Sequence, residues 1–141
     1  MMPKKVLIHF LGLSLLFSCR SGSADKEEAV YIPHAEYIQV VMFHLEQRCE
    51  SCKSVESETT FLLEEEYGEE MAEKKLKFLH FSIQSHNGKK AALMLKATGQ
   101  NLFIVKGDSI SDISGPAFLF AHTHPERYRS LLREELDKFL E

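Results

Sequence analysis

At 141 residues, 44% of them hydrophobic, the chain is long enough to build one core and too short for several domains. Ten Phe and four Tyr carry the aromatic content with no Trp, so the usual stacking platforms for bases and sugars have little support. Residues 1–18 hold Lys4, Lys5 and no acid, so without them fifteen bases face 21 acids, a net charge of −6. A chain that acidic repels a phosphate backbone, and nucleic acid is not an expected partner.

The N-terminus reads as a targeting segment. Lys4 and Lys5 form a positive region, and Val6–Phe17 is an apolar run ending in the small Ser18. A bilayer crossing needs roughly 20 apolar residues, so a signal peptide over 1–18 is favoured over a transmembrane anchor. Leu16-Phe17-Ser18-Cys19 resembles the lipobox of bacterial lipoproteins, which implies lipidation at Cys19; Phe17 departs from that pattern, and an ordinary secretory signal is the alternative. The expected location is the cell envelope, facing the periplasm. Arg20 stands after Cys19 in place of the Asp that marks inner-membrane retention, which leans toward the outer membrane. Residues 19–36 form the expected tether, small, polar and charged as far as Ala29, with at most an edge segment around Pro33.

A domain is expected over 37–141. Tyr37–His44 is short and rich in Ile, Val and Phe, as in a buried strand. After Cys52, Val55, Thr59, Leu62, Leu63 and Tyr67 recur at helical spacing as far as Gly68. Leu76–Ile83 is a second strand covered on both faces, and its pairing with the first is expected to be parallel. Residues 84–88 read as a turn, and Lys89–Thr98 as a short helix that Gly99 caps in the left-handed conformation. Leu102–Val105 is a third strand, and Lys106-Gly107-Asp108 turns it into a return over Ser109–Ile113. Ser114-Gly115-Pro116 reads as a loop, and the apolar patch 117–121 fits no single element. Thr123 or His124 caps a last helix with Pro125 in its first turn, and Tyr128, Leu131, Leu132, Leu136, Phe139 and Leu140 form its buried stripe. The expected class is α/β, a central mixed sheet flanked by helices in the order βαβαββα, which is the order of a thioredoxin-like core.

With Cys19 assigned to lipid, Cys49 and Cys52 remain as one pair in a compartment where disulfides persist. Their spacing at a helix start brings both sulfurs together and sets Cys49 where peptide dipoles favour an anion. Arg48 and Lys53 add positive charge and Glu50 opposes it. The thiolate is the attacking species, so Cys49 is the candidate nucleophile and Cys52 the thiol that resolves the mixed disulfide. Protein thiols or disulfides are the expected partners, and no cofactor is expected, since no Gly-rich nucleotide turn is present.

Phe43-His44, followed by Gln47-Arg48-Cys49-Glu50-Ser51-Cys52-Lys53-Ser54-Val55-Glu56, resembles the bacterial thioredoxin-like family of ArsF-type nitrophenyl-compound nitroreductase subunits. The similarity extends over residues 37–141, including Leu102–Asp108 and the last helix. It implies the thioredoxin-like fold and the dithiol. Thioredoxins place an acid on the first strand and a cis-Pro before the third, and Phe43 and Gln100 stand at those positions here. Deprotonation of Cys52 would then need another base, with His44 and His80 as candidates. Gly99 and Gln100 would build the edge that binds an incoming peptide, with Arg48 beside the cysteines.

Three readings of the pair stay open: a redox dithiol, a disulfide that pins the helix start in a non-enzymatic binding or accessory module, and a metal site with His44, His80, His122 or His124. No second Cys pair or His-x-x-x-His spacing closes a tetrahedral site, so no metal is assigned. Glu64-Glu65-Glu66 reads as a solvated helix face, and a monomer is expected.

Overall fold

The computed structural model describes residues 29–141. The expected signal segment 1–18, Cys19 and the tether as far as residue 28 lie outside the described residues. Among the described residues no helix is long and apolar enough to cross a membrane.

Among the described residues nine elements follow in order: β1 Ile38–His44, α1 Glu50–Glu66, α2 Gly68–Ala72, β2 Leu76–Ser82, α3 His86–Leu95, β3 Asn101–Lys106, β4 Ser109–Asp112, α4 Ser114–Phe120 and α5 Pro125–Leu140. The sheet order is β2-β1-β3-β4. β1 runs parallel to β2, with Ile38 opposite Leu76, and antiparallel to β3, with Val41 opposite Phe103. β3 and β4 close an antiparallel hairpin. Gly107 turns it at φ 58°, a left-handed conformation that an L side chain rarely takes. The expected βαβαββα order and mixed sheet are therefore present, with α2 and α4 added.

β1 is buried on both faces, and its alternating side chains divide the interior. Val40 and Met42 join Leu102 and Ile104 under α1, α4 and α5, where Val55, Leu62, Leu63, Leu132 and Leu136 are fully buried. Val41 and Phe43 join Phe103 and Val105 on the other face, under Ala91, Ala92 and Leu95 of α3. Every residue of the two clusters lies within 29–139.

Several expected boundaries move for identifiable reasons. α3 begins at His86, three residues before the expected start, because the Ser85 hydroxyl accepts the Gly88 N–H at 2.9 Å. It ends at Leu95, with Lys96 in the left-handed conformation (φ 56°), so Gly99 is not the cap. Ending there returns Ala97 to the second core. Ser114-Gly115-Pro116 is the first turn of α4 rather than a loop: a missing N–H there costs nothing, and Asp112 Oδ1 accepts the Ser114 N–H at 2.9 Å. The ambiguous patch 117–121 continues that helix, burying Ala117 and Ala121. α5 opens at His124-Pro125 as expected, but Leu140 is exposed at its end instead of buried. Residues 30–36 form no strand. The last part of the expected tether packs on the domain through Tyr31 and Ala35, and Gln39 clamps it by exchanging two hydrogen bonds with the Ile32 backbone.

Candidate functional site

The site hangs from the C-terminal end of β1, the strand shared by both cores. The chain leaves His44 through the exposed residues 45–47 and reaches Cys49, the extended N-cap of α1 (φ −81°, ψ 168°). Cys49 is exposed and Cys52 fully buried, because the third residue of the helix already faces the first core. Both are free thiols, with the sulfurs 3.3 Å apart.

Position determines how each thiol ionises. The backbone N–H of Cys52 faces the Cys49 sulfur and is the largest influence lowering its pKa; the Cys52 thiol and the Gln100 amide add to it. Burial pushes the Cys52 thiol up, and the Cys49 sulfur pushes it further. The pair is thus polarised, with the proton held on the inner sulfur.

The two cations expected to favour a thiolate at Cys49 are both drawn aside. Lys53 donates to Glu50 at 2.9 Å, and Arg48 pairs with Glu56 one turn further along α1. On Cys52, whose pKa burial raises, the Arg48 charge is the least of the influences and opposes that rise. Stabilisation of an anion at Cys49 comes mainly from the helix start rather than from cationic side chains.

Gln100, just before β3, directs its Nε2 amide at the Cys49 sulfur from 3.8 Å. Gly99 precedes it in the same turn and is half-buried. Sequence reasoning thus placed Gln100 beside the cysteines. Phe43 lies in the second core, its ring stacked with Phe81 and edge-on to Phe103, so an apolar cluster fills the position where a buried acid was sought. Of the candidate bases, His44 donates its Nδ1–H to the Leu45 carbonyl at 2.9 Å, and its ring lies 6.2 Å from that of His80. Burial lowers the His80 pKa, and the neighbouring His44 and Arg48 lower it further. Among the described residues no hydrogen bond joins either histidine to a cysteine.

One neighbour stands near the cysteines in a role other than the metal ligand considered from the sequence. His122, between α4 and α5, hydrogen-bonds the Ser54 hydroxyl at 3.1 Å over the first turn of α1. Only the tertiary return of α4 onto α1 brings it there, and His122-Thr123-His124 carries no local signal of it. Among the described residues no group of three or more His, Cys, Asp or Glu is placed to hold a metal ion.

A four-stranded mixed sheet flanked by helices in this order has structural counterparts. The X-ray structure of Fasciola hepatica thioredoxin superposes with a TM-score of 0.50 and 16% identity, covering 75% of this chain and 84% of that one. The fold is thioredoxin-like. Chlamydomonas reinhardtii thioredoxin f2 gives a TM-score of 0.47 at 14% identity, over 72% of this chain and 81% of that one. A malarial protein gives 0.48 at 13%, over 70% and 96%. No protein-family model and no curated protein matches the sequence. Within this thioredoxin-like domain, Cys49 and Cys52 occupy the end of the first strand and the first turn of the first helix.

Proposed function

We propose that the protein is an exported thiol–disulfide oxidoreductase, tethered to a membrane by a lipid on Cys19 and acting in the cell envelope on protein thiols or disulfides. The observation that carries this reading is the polarised dithiol: an exposed sulfur favoured as the anion, 3.3 Å from a buried one that keeps its proton. The resemblance of residues 43–56 to the ArsF-type family supports a dithiol at this position and adds no nitroreductase chemistry.

In the reducing direction, the Cys49 thiolate attacks one sulfur of a partner disulfide. The new bond joins Cys49 to that sulfur, and the other partner sulfur leaves as a thiolate that takes up a proton. Cys52 then loses its proton and attacks Cys49 Sγ, releasing the second partner thiolate. The partner gains two electrons and the Cys49–Cys52 pair becomes a disulfide; the oxidising direction is the reverse. Gln100, beside the attacking sulfur, and Gly99 before it form the surface against which a partner segment lies, with the Gln100 amide steadying the thiolate. Arg48, paired with Glu56 and preceding Cys49 in the chain, belongs to the same surface.

A second reading, an accessory module with an inert disulfide, is favoured by one observation. Among the described residues neither His44, which donates to the Leu45 carbonyl, nor His80 is hydrogen-bonded to a cysteine, so the buried Cys52 thiol has no histidine in place to take its proton in the resolving step.

Iodoacetamide labelling across pH, on residues 20–141, separates the two. The oxidoreductase reading expects Cys49 to react first, with a half-maximal pH below the ordinary thiol value of about 8.5, and Gln100→Ala to move that midpoint upward. Slow, equal labelling of both thiols sinks it. For the tether, Cys19→Ser should release the full chain from membranes after a high-salt wash; retention under that wash would count against lipidation.

A further inference from the structure

Charge is unevenly distributed along this acidic chain. Between Glu73 and Asp108 there is no Asp or Glu, and there are seven lysines. Four of these have other setting or work: Lys75 pairs with Glu73, Lys77 lies over the Tyr37 ring, Lys106 donates to the Phe139 carbonyl, and Lys74 sits in the turn before β2. The other three, Lys89, Lys90 and Lys96, are all exposed on or just beyond α3, and among the described residues none is in an ion pair.

At 100° per residue these lysines surround an apolar centre. Leu93 falls on the wheel between Lys89 and Lys90, and it is 82% exposed; Met94 beside it is 52% exposed. The inner face of α3, carrying Gly88, Ala91, Ala92 and Leu95, is already spent on the sheet. An outward helix face normally places polar residues at its centre. Here the centre is a leucine standing proud, flanked by a shallow apolar groove of Ile83, Ala92 and Ala97.

A second observation concerns where this helix stands along the chain. The Asn87 side-chain amide, in the first turn of α3, donates to the Ala29 carbonyl at 3.3 Å, and Ala29 packs on the second core. The chain therefore runs toward its first 28 residues from beside this helix.

We infer that the exposed face of α3 docks on an anionic phospholipid surface, with Leu93 and Met94 among the headgroups and Lys89, Lys90 and Lys96 against the negative charge. A protruding leucine ringed by cations suits insertion into a bilayer interface, whereas a protein pocket-filler would be met by a recess. The acidic remainder of the domain orients the molecule with this face toward the surface. Such a contact is independent of any lipid on Cys19, and would act as a second membrane signal beside it.

The test uses residues 20–141, which carry both cores complete and no lipid, with vesicles of phosphatidylcholine alone or with half phosphatidylglycerol. Co-sedimentation with the anionic vesicles only, lost at roughly 0.5 M salt, is expected. A lysine near an anionic surface is worth about fivefold in affinity, so K89Q/K90Q/K96Q should bind roughly 100-fold more weakly. Leu93→Ser, with every lysine kept, should weaken binding about tenfold, and unchanged circular dichroism would show that both variants fold. Equal partition to both vesicle types, or binding unchanged in either variant, would overturn the inference. So would a dimer, dissociated by Leu93→Ser, in place of vesicle binding.

Discussion

The helix that carries the cysteines is anchored by a buried pair of hydroxyls whose proton directions can be worked out. Thr59 Oγ1 lies 2.6 Å from the Val55 carbonyl and 2.6 Å from the Tyr128 hydroxyl. A carbonyl only accepts, so the single Thr59 proton goes to Val55, and the Tyr128 O–H must donate to Thr59 Oγ1. The two possible truncations are then unequal. Tyr128→Phe removes a donor and leaves Thr59 still bonded to Val55, a loss of about 1 kcal/mol. Thr59→Val preserves shape but strands a fully buried phenol with no acceptor, which costs about 2 kcal/mol or more. With both changes no polar group is stranded, so the double variant should be more stable than the sum of the singles predicts, by at least about 1 kcal/mol. At roughly 4 °C per kcal/mol for a domain of this size, thermal melts followed by circular dichroism resolve these differences. Additivity within about 0.4 kcal/mol, or a larger loss for Tyr128→Phe than for Thr59→Val, would refute the assignment of donors.

Two further expectations concern the packing around the site. A Cβ at Gly88 would lie 1.9 Å from the Ser82 backbone carbonyl oxygen, so Gly88→Ala must push α3 off the end of β2; a loss of about 3 kcal/mol is expected in urea unfolding, and a loss under about 1 kcal/mol would show that the approach is not close. Tyr128 and Tyr67 both have phenol pKa values raised above the ordinary 10.0, chiefly by burial. The folded state therefore favours the neutral phenols: their contribution is complete below pH 10.0 and falls away as pH rises above it. Unfolding free energy measured upward from pH ~8 should drop less steeply in the Tyr67→Phe/Tyr128→Phe variant than in the parent, and identical slopes would remove the tyrosines from the account.

Legibility in the sequence followed the range of the interaction involved. β1, β3 and the helix after Cys52 were readable because their burial patterns are written in consecutive residues, and the strand-to-helix junction at Cys49 followed from them. α4 was not, since a Pro and a Gly in its first turn look like a loop until Asp112 is seen to bind the Ser114 backbone. The end of α3 was misplaced by a rule that prefers glycine in the left-handed conformation, while packing of Leu95 and Ala97 put Lys96 there. At the site, the positive charge of Arg48 and Lys53 and its opposition by Glu50 are legible in the sequence, but the pairing of Arg48 with Glu56 is not, because which cation meets which acid depends on helix geometry. His122 is considered from the sequence only as a metal ligand, and its contact with Ser54 depends on α4 folding back onto α1.

The division of β1 between two cores has a consequence for how this chain can change. Met42 and Phe43 are neighbours in sequence, yet each answers to a different set of packing partners, one under α1, α4 and α5, the other under α3. A lineage or an experimenter can therefore retune the ground beneath the cysteines from either side separately. Repacking under α3 leaves the helix that holds the sulfurs in place, and repacking under α1 leaves the α3 surface as it was.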